Sequence, residues 1–209
     1  MRLYLSVGPN PRVVRMALIE KGMKFDTEVV DIIKGDNRRP PYAELNPAGF
    51  TPCLKLDDGR TLAESVAIVE YLEELQPLPS LIGVSREERA LHRMRVRQID
   101  FGVVQPMTMG FRAAEGLPMF SGRLRCFPQA ADDLKAAARD GLAWLDGQVD
   151  DRAFLTGDEI RLADLLLFSF MDFGRQVGQP FDPGSRRLAA WFDRMQGRAS
   201  ALESAAPPA

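Results

Sequence analysis

The spacing of hydrophobic residues divides the chain into an α/β part followed by an all-helical part. In the first part, strand-like runs at residues 3–6 and 25–33 alternate with apolar residues at helical spacing over residues 11–22. The pair Asn10-Pro11 predicts the start of this helix, because asparagine caps free amide groups and proline fits the first helical position. The pattern up to this point is therefore β-α-β.

The following segment predicts a hairpin and a second helix. After a short helical or irregular piece at residues 42–45, two short strands flank the turn at residues 57–60, which reads Asp-Asp-Gly-Arg. Residues 65–74 place apolar side chains along one side of a helix. A stretch rich in proline, serine and glycine at residues 76–85 then predicts a linker.

Beyond the linker the pattern is helical. Helical spacing covers four segments, at residues 86–111, 128–149, 162–177 and 185–196. Pro106 is expected to kink or end the first of them, since proline lacks an amide proton and clashes with the preceding turn. The sequence therefore predicts two domains, at residues 1–79 and 86–209, with a frayed tail from residue 200 onward.

The composition argues against several classes of function. Of 209 residues, 45% are hydrophobic and 27% charged, and a net charge of -2 disfavours a nucleic-acid-binding polycation. One histidine, His92, and two distant cysteines, Cys53 and Cys126, suit neither a common zinc site nor a disulfide framework. An apolar run of about 18 residues and a signal sequence are both missing. We therefore expect a cytoplasmic protein without a metal, a membrane or a nucleic-acid partner.

Thr51 and Pro52 form the first candidate for ligand binding. A proline at the first position of a strand costs no hydrogen bond, and a cis Thr51-Pro52 peptide bond would turn the Thr51 backbone outward. The amide and carbonyl groups of Thr51 would then pair with an extended peptide, as an added strand does. These two residues therefore predict a peptide-binding edge.

The pair Glu64-Ser65 opens the predicted helix at residues 65–74 and forms a second candidate. The free amide groups of a first helical turn, together with the Ser65 hydroxyl, favour a carboxylate, and Glu64 beside them favours an ammonium group. The pair thereby matches the α-carboxylate and α-amine of one amino acid. The structural alternative is that Ser65 is an N-cap and Glu64 a solvated acid.

Two segments resemble the glutathione-binding half of cytosolic glutathione S-transferases of bacterial type. They are residues 46–54, Asn-Pro-Ala-Gly-Phe-Thr-Pro-Cys-Leu, and residues 62–72, Leu-Ala-Glu-Ser-Val-Ala-Ile-Val-Glu-Tyr-Leu. The resemblance extends over nearly the whole chain and implies an α/β thioredoxin-like N-terminal domain followed by an all-α C-terminal helical domain. It also implies a homodimeric detoxification enzyme that activates the thiol of its co-substrate glutathione for attack on a small hydrophobic electrophile.

The resemblance also implies site residues, carried over position by position. It makes four residues glutathione contacts: Thr51, Pro52, Glu64 and Ser65. A basic side chain is expected for the glycyl carboxylate of glutathione. Arg39 is the first choice for that role, and Arg38 and Lys34 are the alternatives.

The thiol-activating group departs from the family pattern. Many members carry Tyr, Ser or Cys just before the first helix, but Gly8 stands at that place here. Residues 8–11, Gly-Pro-Asn-Pro, are similar to the Thr-Pro-Asn pattern of the Nu class, of which Asn10 remains. We expect Asn10 to approach the sulfur, with Ser6, the backbone or Tyr4 as alternatives. A Nu-like disulfide-bond reductase and a non-catalytic glutathione- or ligand-binding member stay open as alternative functions.

Residues 156–164 resemble the folding motif of the same family, a capping box at the start of a helix. Arg161 stands where Ser or Thr is usual, and its guanidinium cannot accept the amide hydrogen bonds of the first turn. Asp164 can still accept a hydrogen bond from the Arg161 backbone. Loss of the other half of the box should cost about 1 kcal/mol, and we interpret the motif as structural.

Overall fold

The computed structural model describes residues 1–150, 152–179 and 184–208 and consists of two compact units. The first unit is formed by Met1–Ile82 together with Gln196–Ala209, and the second by Gly83–Met195. The sequence assigned residues 86–209 to one helical domain, whereas the structure groups the C-terminal residues with the first unit. Among the described residues, no helix has the length and apolar character needed to cross a membrane.

The first unit is built on a four-stranded mixed sheet. In chain order its elements are β1 (Arg2–Leu5), α1 (Pro9–Lys21), β2 (Asp26–Val29), α2 (Tyr42–Leu45), β3 (Cys53–Lys55), β4 (Thr61–Ala63) and α3 (Ser65–Leu75). The strand order is β2-β1-β3-β4, with β1 parallel to β2 and antiparallel to β3. The predicted order of elements and the antiparallel β3-β4 hairpin are confirmed.

Strand β2 is shorter than the predicted strand at residues 25–33. Ladder pairing ends at Val29, although the Val30 amide still donates to the Leu5 carbonyl at 2.7 Å. Just beyond, the Asp31 carboxylate accepts hydrogen bonds from the amides of Ile33 and Lys34, both at 3.0 Å. An aspartate that binds the backbone two and three residues ahead forms a turn, and this turn ends the strand.

Helix α1 begins two residues earlier than predicted. Pro9 is its first residue, so Asn10 lies within the first turn and is not the N-cap. Gly8 takes the cap position with φ 118° and ψ 170°, a conformation that glycine adopts at little cost. The sequence pattern was ambiguous because Pro9 and Pro11 both suit a first helical turn. At the other end, Gly22 closes the helix in the left-handed region with φ 64°.

A buried ion pair joins the end of α1 to α3. The Lys21 ammonium group donates to Glu73 at 2.6 Å and to the Pro79 carbonyl at 2.8 Å. The Glu73 carboxylate also accepts from the Leu81 amide at 2.7 Å and from the Ser80 hydroxyl at 3.1 Å. The Lys21 and Glu73 side chains are 0% and 3% exposed, respectively, so both charges depend on these partners.

The second unit is built from helices. In chain order they are α4 (Arg86–Ile99), α5 (Gln105–Ala113), α6 (Leu117–Phe120), α7 (Ala131–Asp146), α8 (Leu162–Gln176) and α9 (Arg186–Gln196). The four predicted helical segments are helical in the structure. The first is divided between α4 and α5 and extends to Ala113, whereas α7, α8 and α9 are one to six residues shorter than predicted. Helix α8 is the central one, because every residue from Leu162 to Met171 is buried.

A π-helical turn precedes Pro106, the residue that was predicted to kink or end the first helix. Residues Asp100–Val104 form this turn between α4 and α5, and Pro106 lies in the first turn of α5. The Gln105 amide donates to the Asp100 carbonyl, five residues earlier, so the π turn connects α4 and α5 without a break. The π turn also closely approaches α7, since a Cβ on Gly141 would lie 2.0 Å from the Gly102 carbonyl oxygen.

Asp164 is the buried centre of the capping motif at α8. Its carboxylate accepts hydrogen bonds from the amides of Leu155 and Arg161 and from the indole of Trp191, each at 2.9 Å. Burial nevertheless raises the pKa of Asp164 to about 6. Arg161 is the N-cap residue, and its side chain contacts Glu159 at 2.9 Å. The Asp164 half of the capping box is therefore formed, and Arg161 supplies no acceptor for the other half.

The C-terminal segment is ordered against α1, in contrast to the frayed tail that the sequence predicted. Residues Ala199–Glu203 form α10, and Ser200 is 1% exposed. Arg198 donates to Glu20 with two nitrogens, at 2.9 and 2.8 Å. Arg15 donates to the carbonyl groups of residues 204 and 206, at 3.1 and 2.6 Å. These long-range contacts outweigh the weak local propensity of an Ala- and Pro-rich segment.

Candidate functional site

The candidate site lies at one corner of the sheet of the first unit. Cys53 pairs with Tyr4 on β1 and with Ala63 on β4. If the same antiparallel register continues for two residues beyond Cys53, Thr51 lies opposite Ser6 on one side and opposite Ser65 on the other. This register brings together three segments that are distant in sequence, around Ser6, Thr51 and Ser65.

The predicted cis peptide bond between Thr51 and Pro52 is confirmed. Pro52 is buried and directly precedes β3, and Thr51 is half-buried at the corner. The Thr51 hydroxyl forms a short hydrogen bond with the hydroxyl of Ser6. The Ser6 hydroxyl in turn donates to the Val7 carbonyl at 3.0 Å. Either hydroxyl can be the donor in the hydrogen bond between Ser6 and Thr51, so the Ser6 hydroxyl has two partners within the protein, Thr51 and the Val7 carbonyl.

The N-terminus of α3 opens at the same corner. Glu64 precedes the helix with φ 72° and ψ 122°, and it is the sole residue other than glycine in the described chain with a positive φ. Such a conformation costs about 1–3 kcal/mol and is concentrated at functional sites. The Glu64 side chain is exposed, and within the described residues it does not cap the helix. The amides of Ser65, Val66 and Ala67 therefore have no partner within the helix.

Asn10 and Ser65 connect the first turns of α1 and α3. The Ser65 hydroxyl donates to Asn10 Oδ1 at 3.0 Å. Ser65 is 4% exposed, whereas Asn10 is half-buried. The structure thus brings the predicted residues Asn10 and Ser65 into direct contact, and Ser6 and Thr51 into a second contact beside them.

The first turn of α1 contains few backbone donors. Pro9 and Pro11 have no amide proton, and the Arg12 amide donates to the Gly8 carbonyl at 3.4 Å. The amide and the side-chain NH₂ group of Asn10 are therefore the donors that this turn can offer. Gly8 contributes no side chain, and its φ of 118° disfavours any residue that would carry one.

The basic loop at residues 37–39 is held to the loop that precedes Thr51. Asn37 donates to the Gly49 carbonyl at 2.6 Å. Arg38 donates to the Ala48 carbonyl at 3.0 Å, and its guanidinium lies 5.1 Å from the centre of the Phe50 ring. The guanidinium of Arg39, the first choice from the sequence, donates instead to the Lys34 carbonyl at 2.6 Å. Charge alone could not distinguish the two arginines. The structure does distinguish them, because Arg38 contacts Ala48 and Phe50, which directly precede Thr51, and Arg39 does so in none of its recorded contacts.

Tyr4 and Cys53 belong to the core behind the corner. The Tyr4 ring packs edge-on against Tyr42 with 5.8 Å between ring centres, and both residues pack in a cluster with Cys53 and Val30. Burial raises the pKa of Cys53 to about 11, which keeps this thiol protonated at neutral pH. Within residues 1–150, 152–179 and 184–208, no group of three His, Cys, Asp or Glu side chains is arranged to hold a metal ion.

Comparison with known proteins assigns both parts of the chain to one family. Residues 7–75 match the family described as "Glutathione S-transferase, N-terminal domain", and residues 117–199 match "Glutathione S-transferase, C-terminal domain". The crystal structure of a glutathione S-transferase domain-containing protein from Marinobacter aquaeolei is 31% identical, with a TM-score of 0.89 over 96% of this chain and all of that one. The chain belongs to the glutathione S-transferase family.

Two further relatives show the range of this glutathione S-transferase family. The crystal structure of Gtt2 from Saccharomyces cerevisiae is 29% identical, with a TM-score of 0.90 over 98% of this chain and all of that chain. A protein of Pseudomonas aeruginosa named maleylacetoacetate isomerase is 30% identical, over 84% of this chain and 82% of its own length. The thioredoxin-like fold with a helical C-terminal domain is thus confirmed, whereas the named relatives include both transferases and isomerases.

Proposed function

We propose that this protein is a glutathione transferase that binds glutathione at the sheet corner and activates its thiol. The observation that carries the proposal is the convergence of three recognition groups in the first unit. They are the cis Thr51-Pro52 bond, the strained Glu64 and the open N-terminus of α3 that begins at Ser65. Each offers a contact that an extended γ-glutamyl peptide requires.

The tripeptide is expected to bind as an additional strand. The Thr51 backbone pairs with the cysteinyl residue of glutathione, since a cis bond before Pro52 turns its polar groups away from the sheet. The γ-glutamyl carboxylate binds at Ser65, where the helix dipole and the unpaired amides favour an anion. Glu64 pairs with the γ-glutamyl ammonium group. Arg39 or its neighbour Arg38 binds the glycyl carboxylate.

Asn10 is the proposed donor to the glutathione sulfur. The Ser6 hydroxyl already has partners in Thr51 and the Val7 carbonyl, Gly8 has no side chain and the adjacent prolines have no amide proton, and these observations favour Asn10. A decrease of about 2 units in the thiol pKa requires only about 2.7 kcal/mol. One hydrogen bond to a thiolate, with the positive ends of two helix dipoles, can supply this amount. This arrangement would make the loop similar to that of the Nu class.

The second substrate is proposed to be a small hydrophobic electrophile. In the second unit, Phe111 packs edge-on against Phe120 and Phe173, with ring centres 6.1 and 5.0 Å apart. All three rings are half-buried, so part of this aromatic cluster stays exposed to solvent. In the reaction, the thiolate forms a carbon–sulfur bond with the electrophile, and a leaving group departs with the bonding electron pair.

The glutathione site is tested with Glu64→Ala, measured by isothermal titration calorimetry with glutathione. Loss of the partner of the γ-glutamyl ammonium should weaken binding about tenfold or more. Glu74→Ala is the matched control, because Glu74 is an exposed acid at the other end of the same helix. Equal affinity of both variants and the wild type would remove the site assignment.

The activity is tested by comparing three reactions. Conjugation of an aryl halide measures transfer, reduction of a glutathione mixed disulfide measures the Nu-like reductase alternative, and maleylacetoacetate tests the activity named in the Pseudomonas relative. A non-catalytic member would bind glutathione without lowering its thiol pKa, which ultraviolet titration of the bound thiolate detects. We expect a lowered thiol pKa and conjugation as the fastest of the three reactions.

A further inference from the structure

The Ser65 hydroxyl has one proton, and two groups of the proposed site require it. The structure records a donation to Asn10 Oδ1 at 3.0 Å. A carboxylate bound at the N-terminus of α3 would be the competing acceptor. A hydroxyl cannot donate fully to both, so its role depends on which acceptor can be satisfied in another way.

The carboxylate has other donors. The Ile68 amide already binds the Glu64 carbonyl at 2.9 Å, but the three preceding amides of α3, from residues 65 to 67, have no partner within the helix. Backbone amides at a helix N-terminus bind anions without any help from a side chain. A carboxylate at this position can therefore be satisfied without the Ser65 proton.

Orientation of the Asn10 side chain, in contrast, depends on a hydrogen bond to its Oδ1 atom. A side-chain amide presents its NH₂ group in a fixed direction only if its oxygen is also held, because the last side-chain torsion of asparagine is broad. The Ser65 hydroxyl holds this oxygen and directs the NH₂ group of Asn10 away from Ser65. Pro9 and Pro11 have no amide proton. If the side-chain NH₂ group of Asn10 is not in position, the backbone amide of Asn10 is the donor of this turn that could replace it.

We propose that Ser65 is a positioning residue for Asn10, with its hydroxyl orienting the Asn10 amide while the substrate carboxylate is bound by the backbone amides of α3. This inference rests on the proposed function. It adds that Ser65 acts on the reactivity of the glutathione thiol more than on the affinity for glutathione.

Ser65→Ala separates these two roles. Affinity is measured with S-methylglutathione, which has no free thiol, and the pKa of bound glutathione is measured by ultraviolet absorption of the thiolate. We expect binding of S-methylglutathione within about threefold of the wild type. The bound thiol pKa should rise by about one unit, which is a tenfold loss of thiolate well below that pKa. Asn10→Ala should give the same rise, and the double variant should give no further rise.

Two conservative variants separate a specific effect on the thiol pKa from a loss of folding. Ser65→Thr retains the hydroxyl and should retain the low thiol pKa. Asn10→Asp retains the acceptor for Ser65 but removes the donor to the sulfur, so the thiol pKa should rise at least as far as in Asn10→Ala. Circular dichroism and the midpoint of thermal unfolding verify that each variant is folded.

A tenfold loss of S-methylglutathione affinity in Ser65→Ala, with an unchanged thiol pKa, would overturn the inference and leave the proposed function intact. Additive effects of Ser65→Ala and Asn10→Ala on the thiol pKa would also overturn it. Failure of the wild type to bind glutathione is a different result, because it would overturn the proposed function together with the inference.

Discussion

The buried pair Lys21–Glu73 allows a quantitative prediction for the stability of the first unit. Lys21→Met would leave the Glu73 carboxylate with the Leu81 amide and the Ser80 hydroxyl as its remaining donors. Glu73→Gln would leave the Lys21 ammonium with neutral oxygens only, including that of Pro79 at 2.8 Å. Breaking a buried pair by removing one partner typically costs about 3–5 kcal/mol. For a chain of this size, each kcal/mol corresponds to about 2–4 °C, so Tm should fall by about 6–20 °C.

The assay has to report on the first unit. Both tryptophans, Trp144 and Trp191, belong to the second unit, so tryptophan fluorescence reports that unit alone. Far-ultraviolet circular dichroism follows the secondary structure of both units, and the loss of the first unit is therefore included in its signal. Lys24→Met is the matched control, because it makes the same chemical change at an exposed lysine nearby. If Lys21→Met and Lys24→Met have the same Tm, the ion pair does not stabilise the fold and the reasoning is refuted.

Two further predictions concern a helix cap and a pH dependence. Arg161→Ser adds an acceptor at the start of α8 and should exceed Arg161→Ala in unfolding free energy by about 1 kcal/mol, measured by urea titration. Equal stability would show that the missing half of the capping box costs nothing. Burial opposes ionisation of Glu20, but hydrogen bonds from Arg198 and Ser200 outweigh it and lower the Glu20 pKa below its ordinary value. Its contribution to stability is therefore present above the ordinary glutamate pKa and is lost as the pH falls through the lowered one. Arg198→Met should weaken this acid dependence in thermal unfolding from pH 7 to pH 3, and an unchanged acid limb would contradict the assignment.

Local chemistry in the sequence predicted much of the first unit. Aspartates followed by glycine at residues 57–59 form the turn of the β3-β4 hairpin, and the Thr51-Pro52 bond is cis as expected. These features depend on residues adjacent in the chain, which a sequence pattern displays. The predicted start of α1 was wrong by two residues, because Pro9 and Pro11 are equally suited to the first helical turn.

Features that depend on distant residues could not be predicted. The hydrogen bond between Asn10 and Ser65 joins residues 55 positions apart. The order of α10 depends on side chains of α1, including Arg15, rather than on the composition of its own segment. The hydrogen bond between the hydroxyls of Ser6 and Thr51 requires the register that brings these two residues together. The sequence thus supplied the candidate site residues, and the three-dimensional contacts gave reasons to prefer some of them over others.

The grouping of Gln196–Ala209 with Met1–Ile82 has a consequence for synthesis on the ribosome. The helical unit is, topologically, an insertion within the first unit, so the α/β unit cannot be completed when its sheet has been translated. Until residue 198 and those after it emerge, the side of α1 that carries Arg15 and Glu20 lacks its partners. The order in which the two units finish folding therefore does not follow the order in which they are translated. The unit that is translated first is closed last, and a fragment ending at Ile82 should be less stable than the same residues within the whole chain.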